Sequence, residues 1–202
     1  MDQKERMLRG LPYKAWLDGL EEERQACQVK LWEYNNLPPE RWGERDALLR
    51  QILGGVGERV ALLPPFRCDY VTNIFLGSDV QVNYNLTVLD VGRVSIGDRV
   101  LIAPNVSIYT AGHPVHPLSR RSGYEYGIEV SIGDDVWIGG SVTILPGVHI
   151  GSGSVIGGGS VVTKDIPENV IAVGSPCRVL RPITDEDRHY YYKDRRFDVE
   201  DY

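Results

Sequence analysis

The chain has 202 residues, 42% of them apolar and 25% charged, with a formal net charge of −6. That length supports one domain with a sizeable core, and that balance argues against a disordered chain. The acidic excess disfavours non-specific binding to nucleic acid or to an anionic membrane surface. The opening MDQKERMLRG is charged and has no apolar run, so neither a signal peptide nor a bilayer-spanning segment is expected. Cys27, Cys68 and Cys177 are scattered and form no CxxC pair, which points to a reducing, cytoplasmic setting without a disulfide framework.

From Tyr13 to Tyr34, apolar residues recur at helical spacing: Leu17, Leu20, Cys27, Leu31 and Tyr34. Asn35, Asn36 and the Pro38-Pro39 pair end that predicted helix. A second helix is predicted over Glu44 to Leu53 and stops at Gly54 and Gly55. Residues 1–57 therefore read as a helical segment.

The texture then changes to a six-residue period. Hexads open in series at Ile132, Ile138, Ile144, Ile150, Ile156 and Val162, and earlier at Leu76, Val82, Ile96, Ile102 and Ile108. Two extra residues break the phase between Val88 and Ile96. Six residues suit one short strand and one turn. Stacked coils would set each Ile or Val about 4.8 Å from its counterpart in a parallel ladder. The predicted fold is mainly β: a parallel β-helix of hexapeptide repeats over residues 58–182. Residues 112–127, with Pro114, Pro117, Arg120 and Arg121, are too polar for coil faces and are predicted to protrude as a loop, the coil phase resuming at Tyr126. A charged, tyrosine-rich tail over 183–202 is expected to form a short surface helix.

NYNLTVLD, IGDRVLIAPNVSIYTAGHPVHP, VWIGGSVTILPGVHIG and VVTKDIPENVIAVGSPCRV resemble the maltose and galactoside O-acetyltransferases, and the likeness runs from about Glu5 to about Lys193. The resemblance implies a left-handed β-helix, a homotrimer with sites between subunits, and direct transfer of acetyl from acetyl-coenzyme A to a sugar hydroxyl, such as the 6-hydroxyl of maltose or glucose. The family's general base matches His113, first histidine of GHPVHP. An imidazole suits removal of a hydroxyl proton near neutral pH. The backbone N–H at Gly140 is implied as donor to the developing oxyanion. Asn83 and Arg24 are implied for the acceptor sugar, with Asp69, Asp90 and Glu125 nearby. Trp137, Gly140, Gly158, Thr163, Lys164, Arg178 and Arg181 match positions that hold coenzyme A, the three cationic side chains meeting phosphates. Some members carry aspartates where this chain has Ala15 and Val91, which puts a galactoside preference in doubt.

No cysteine lies beside a histidine in these motifs, so a covalent acyl-enzyme is not expected. Neither GxxxxGK[ST] nor GxGxxG occurs, which leaves nucleotide hydrolysis and dinucleotide redox chemistry unsupported. Two rival readings share the β-helix. A γ-class carbonic anhydrase needs three zinc-binding histidines, and the spacing of His113, His116 and His149 does not resemble that set. A scaffold that had lost its chemistry would be expected to lose the histidine loop or the Thr163-Lys164 pair, and this chain keeps both.

Overall fold

The computed structural model describes residues 1–199 and 201. Three helices precede the β-structure: α1 (Gln3–Leu8), α2 (Leu20–Asn36) and α3 (Trp42–Ile52). Helix α2 starts later than its periodicity predicts. Asp18 and Gly19 adopt positive φ values of 54° and 85°, which breaks the helical path. Tyr13 is also held in an extended bridge to Glu125.

From Gly55 the chain winds as a three-sided solenoid. Face one is a five-stranded sheet of Gly55–Val56, Ile74–Leu76, Val94–Ile96, Val130–Ile132 and His149–Ile150. Face two begins at Ala61–Leu62 and continues through Gln81–Val82, Leu101–Ile102, Trp137–Ile138, Val155–Ile156 and Val170–Val173. Face three stacks Phe66–Cys68, Leu86–Leu89, Ser107–Tyr109, Thr143–Ile144 and Val161–Val162. All these neighbours run parallel. Trp137 pairs with Val155, eighteen residues on, so a regular coil is three hexads. The hexad-opening residues point inward: Leu76, Ile96, Ile132 and Ile150 behind face one, Ile102, Ile138 and Ile156 behind face two, Ile108, Ile144 and Val162 behind face three. Each such side chain gains about 1.5–3 kcal/mol by burial.

The first coil, with Leu62 and Cys68 buried, was not visible in the period, and its first strand lies ahead of the boundary expected at residue 58. Helix α2 covers that coil and satisfies its open edge. Tyr34 Oη donates to the Leu62 carbonyl at 2.6 Å, Gln28 Nε2 to that of Cys68 at 2.8 Å, and the Asn35 amide exchanges bonds with the Phe66 backbone. At the other end Arg178–Pro182 pairs antiparallel with Val170–Val173 and closes face two. The expected tail helix is only a 3₁₀ turn, Asp185–His189, followed by a hairpin of Tyr190–Tyr192 and Arg195–Arg196.

The three corners are built differently. At the first corner, between faces one and two, the exposed N–H groups of four coils are each taken by a side chain of the next coil. Glu58 N–H donates to Ser78 Oγ, Ser78 to Asp98 Oδ1, Asp98 to Asp134 Oδ1, and Asp134 to Ser152 Oγ, at 2.7–3.1 Å. The glycines just before these positions make the contact possible: a Cβ on Gly97 would lie 2.3 Å from Asp134 Oδ1 and 2.8 Å from its backbone nitrogen. At the third corner, between faces three and one, Asp90 is wholly buried and its Oδ1 accepts the N–H groups of Asp69 and Tyr70, both at 2.9 Å. Asp90 was expected near the acceptor sugar. Its carboxylate is instead sealed inside as a turn-forming group, with Oδ2 buried and unpaired.

Two outcomes follow from the corners. Gly97→Ala should destabilise by about 1–3 kcal/mol, because the neighbouring backbone cannot yield. Gly43→Ala, whose Cβ meets nothing within 4 Å, should be neutral or slightly stabilising; paired denaturant titrations check this. Burial raises the Asp90 pKa from 3.8 to about 6, against the two backbone donors that lower it. A folded pKa above the unfolded one means the protonated form stabilises the fold. That contribution is complete below about pH 4 and lost as pH rises through 6. Relative to Asp90→Asn, which keeps an acceptor for both donors and does not titrate, the wild type should therefore lose on the order of 2–3 kcal/mol between pH 4 and 7 in pH-dependent unfolding.

Candidate active site

The coil carrying the long loop returns to register thirty-six residues on, with Val94 paired to Val130. The loop leaves and re-enters through an antiparallel neck of Ala111–Gly112 and Tyr126–Gly127. Tyr126 thus belongs to the neck, and the coil resumes at Val130–Ile132 rather than at Tyr126. The loop holds one short helix, α4 (Pro117–Arg121), whose N-cap is His116; its Nδ1 accepts the Leu118 N–H at 3.3 Å. His116 therefore serves the loop's own shape.

His113 stands just beyond the neck, its side chain 60% exposed, with Nε2 3.9 Å from Glu125 Oε2. Glu125 is fixed from behind. The Tyr13 hydroxyl donates to its Oε1 at 2.5 Å, and the two backbones exchange N–H···O bonds of 2.9 and 3.0 Å. Tyr13 is fully buried, and burial together with the Glu125 bond holds its hydroxyl well above the ordinary phenol range, so it stays a donor. Asp69 lies in the same field. Burial raises its carboxyl pKa, Arg24 opposes that rise, and Glu125 adds to it. His113, Glu125, Asp69 and Arg24 thus gather at the third corner. Beneath them Met7, Tyr13, Ala15, Leu20, Tyr70 and Val91 form a small apolar cluster of their own.

The second corner, between faces two and three, presents a stack of middle positions: Tyr84, Pro104, Gly140 and Gly158. Asn85, Asn105 and Ser141 follow in left-handed conformation, with φ of 64°, 61° and 58°. Tyr84 N–H is taken by Asn83 Oδ1 at 2.8 Å, and Pro104 has no N–H. Gly139 and Ser141 donate to Ile156 and Pro104, but the N–H groups of Gly140 and Gly158 find no acceptor among the described residues. Two open donors, one coil step of about 4.8 Å apart and without side chains to shield them, therefore line this edge. At the first corner the equivalent groups of four coils are paired, and Ser152 N–H, in the next coil, has no acceptor among the described residues. Asn83 and Trp137 also line a groove of about 320 Å³ on face two with Trp42 and Leu101.

Thr163 and Lys164 are exposed at the third corner, farther along the solenoid than His113. Arg178 lies exposed on the closing strand, with one Nη1 bond to the Cys177 carbonyl at 2.7 Å. Arg181, expected to meet phosphates, is forked onto Asp187 at 2.7 and 2.8 Å and is already paired. The His149 Nδ1 bonds Ser131 Oγ on face one at 2.8 Å, and its backbone N–H donates to Asp165 Oδ1 at 2.8 Å. Among the described residues, no three His, Cys, Asp or Glu side chains converge as a metal site.

One chain does not bring all these residues together. His113 and its partners occupy one edge of face three, Asn83, Gly140 and Gly158 the other. A six-residue side spans up to roughly 20 Å. The sequence reading missed Tyr13, an isolated tyrosine ahead of the helix whose role exists only through its contact 112 residues away.

Comparison with known proteins accords with this geometry. Residues 6–57 match the model of the maltose acetyltransferase hexapeptide capping motif, and residues 129–164 that of the bacterial transferase hexapeptide repeats. The galactoside O-acetyltransferase of Escherichia coli K12 is 44% identical over 194 residues, covering 96% of each chain. A solved galactoside acetyltransferase in complex with coenzyme A superposes with a TM-score of 0.95 at 44% identity, covering 98% of this chain and all of that one. The crystal structure of a maltose O-acetyltransferase from Clostridium difficile 630 gives a TM-score of 0.90 at 48% identity, covering 92% and 99%. With its helical cap, three-sided hexapeptide solenoid and histidine loop, the chain belongs to the maltose and galactoside O-acetyltransferase family of hexapeptide-repeat acetyltransferases.

Proposed function

We propose that this acetyltransferase moves acetyl from acetyl-coenzyme A to the primary 6-hydroxyl of a glucose-type sugar such as maltose, with His113 as general base. The carrying observation is the chain Tyr13–Glu125–His113: a buried phenol fixes a carboxylate, and the carboxylate faces an exposed imidazole. His113 takes the hydroxyl proton as the oxygen attacks the thioester. Glu125 favours the imidazolium that results. The open N–H of Gly140 receives the charge that develops on the carbonyl oxygen, already aimed and needing no reorganisation. Arg24 and Asp69 supply a donor and an acceptor for the remaining sugar hydroxyls. The apolar floor at Ala15 and Val91, lacking the carboxylates of galactoside-type members, favours glucose-type over galactoside acceptors.

The fit to coenzyme A rests on features of this chain. Gly158 offers a free amide where a Cβ would press to 3.2 Å from the Gly140 carbonyl, and Trp137 is half-exposed beside it. Lys164 and Arg178 are the cations free to meet phosphates at the closing end. Because Gly140 and His113 occupy different edges, a complete site needs the second corner of one copy against the third corner of another. A homotrimer meets this requirement for a three-sided prism by closing three such junctions.

His113→Ala should lower turnover about 10²–10⁴-fold with the fold intact, measured as thiol release from acetyl-coenzyme A with saturating maltose. Near-normal turnover would sink the mechanism. Gly140→Pro repeats in the stack the residue already present at Pro104; it removes the N–H and sets a ring in its place. It should cost about 10²–10³-fold. Co-expression of the two inactive variants should restore part of the activity, because mixed trimers contain junctions with both wild-type corners. No restoration, or a monomer in sedimentation, would refute the shared site.

A further inference from the structure

Helix α2 meets the first coil through a pair of thiols. Cys27 on α2 and Cys68 on face three are both buried and both free, and their sulfurs lie 4.0 Å apart. The contact belongs to the core of one chain, so joining copies at the second and third corners neither makes nor breaks it. Gln28, the next residue on α2, donates to the Cys68 carbonyl at 2.8 Å and fixes the register of helix on coil. A disulfide needs sulfurs about 2.05 Å apart, so rotation of the two side chains and a small settling of α2 would close the pair. Cys177, the third cysteine, stands apart, just before the closing strand at the far end of the stack.

The thiols sit directly behind two residues assigned to the acceptor. Arg24 precedes Cys27 by about one helical turn, and Asp69 follows Cys68 in the chain. Arg24 already opposes the burial-driven rise of the Asp69 pKa, yet the two side chains share no hydrogen bond or ion pair among the described residues. Drawing the sulfurs about 2 Å closer carries α2, and Arg24 with it, toward Asp69. We propose that Cys27 and Cys68 are a redox-sensitive pair, whose disulfide ties Arg24 onto Asp69 and so loosens the hold on the acceptor sugar.

This deepens the acceptor reading given above and rests on it. Burial, with the Cys27 contact adding to it, holds the Cys68 thiol well above its ordinary pKa. The docked pair is therefore slow to react, and oxidation proceeds through local opening of α2 at its end of the stack. The oxidant is a hydroperoxide. One sulfur takes the terminal peroxide oxygen, and the remainder leaves with the thiol proton as alcohol or water. The second sulfur attacks the sulfenic sulfur so formed, and hydroxide leaves with the second thiol proton as water. The peroxide gains two electrons and the chain loses two hydrogens.

The test treats the intact enzyme with hydrogen peroxide, removes the excess, and follows acetylation of maltose by loss of thioester absorbance. Peptide mass spectrometry should show Cys27 joined to Cys68, lighter by two hydrogens. The KM for maltose should rise about threefold to tenfold, with the KM for acetyl-coenzyme A unchanged, and dithiothreitol should reverse the change. The thermal midpoint should rise on oxidation, because the bridge closes a long loop. Cys27→Ala and Cys68→Ala should each keep the KM values of the reduced enzyme and lose the response to peroxide. Two thiols still unjoined after prolonged oxidation, a bridge between copies, a response that survives in both variants, or a Cys27–Cys68 bridge that leaves the maltose KM unchanged would overturn the proposal and leave the acceptor reading standing. Failure of the reduced enzyme to acetylate any sugar would overturn that reading and the proposal with it.

Discussion

Every feature of this molecule answers to one constraint: each coil must lay its backbone flat on the next, at the spacing of a parallel hydrogen-bond ladder. That spacing leaves no room at a corner for a side chain directed at the neighbouring backbone, so Gly77, Gly97, Gly133 and Gly139 recur where coils touch. It also fixes what fills the interior. Ile102, Ile138 and Ile156 sit one above another because each must occupy the width its neighbour occupies. Once this repeat is in place, corners become the only positions where chemistry can differ from coil to coil.

The three corners divide that labour. The first is consumed by structure, its amides tied into a serine and aspartate ladder. The second keeps amides open at Gly140 and Gly158, because glycine supplies neither a blocking side chain nor a capping one. The third absorbs the departures from the eighteen-residue coil: the two-residue excess between Cys68 and Leu76, the same excess between Val88 and Ile96, and the long loop after Tyr109. Extra chain length at one edge lets backbone leave the ladder, and Asp69, His113 and Glu125 all arise on such excursions. The broken period is therefore informative in itself. It marks where ordering of the coil was given up for the placement of side chains.

Much of this was legible beforehand, and the exceptions have physical causes. The hexads from Leu76 onward show themselves because their inward residues are uniformly aliphatic. The first coil hid because Cys68 stands where an aliphatic residue was sought and because α3 ends directly against it. The start of α2 was misplaced because Leu17 and Leu20 keep helical spacing across Asp18 and Gly19, whose positive φ no periodicity reports. Among site residues, the loop histidine was found through its motif. Asp90 stood near the acceptor only through the family resemblance; its burial depends on the Asp69–Tyr70 backbone folding over it. Tyr13 offered no local signal, since its function comes from a contact formed only when the loop closes back on the N-terminal segment.

A parallel solenoid has two raw ends, each a triangle of unpaired backbone that could template another molecule. Here the two are closed by unlike means: the side chains of α2 at the start, and a strand of reversed direction, Arg178–Pro182, at the finish. Reversal matters because a parallel coil arriving at that end would meet a strand running the wrong way, with Pro182 unable to donate at its edge. End-to-end growth into fibrils, the hazard that attends any stack of identical β-rungs, is thereby blocked at both termini, and the length of the stack is set by its caps rather than by the supply of hexads.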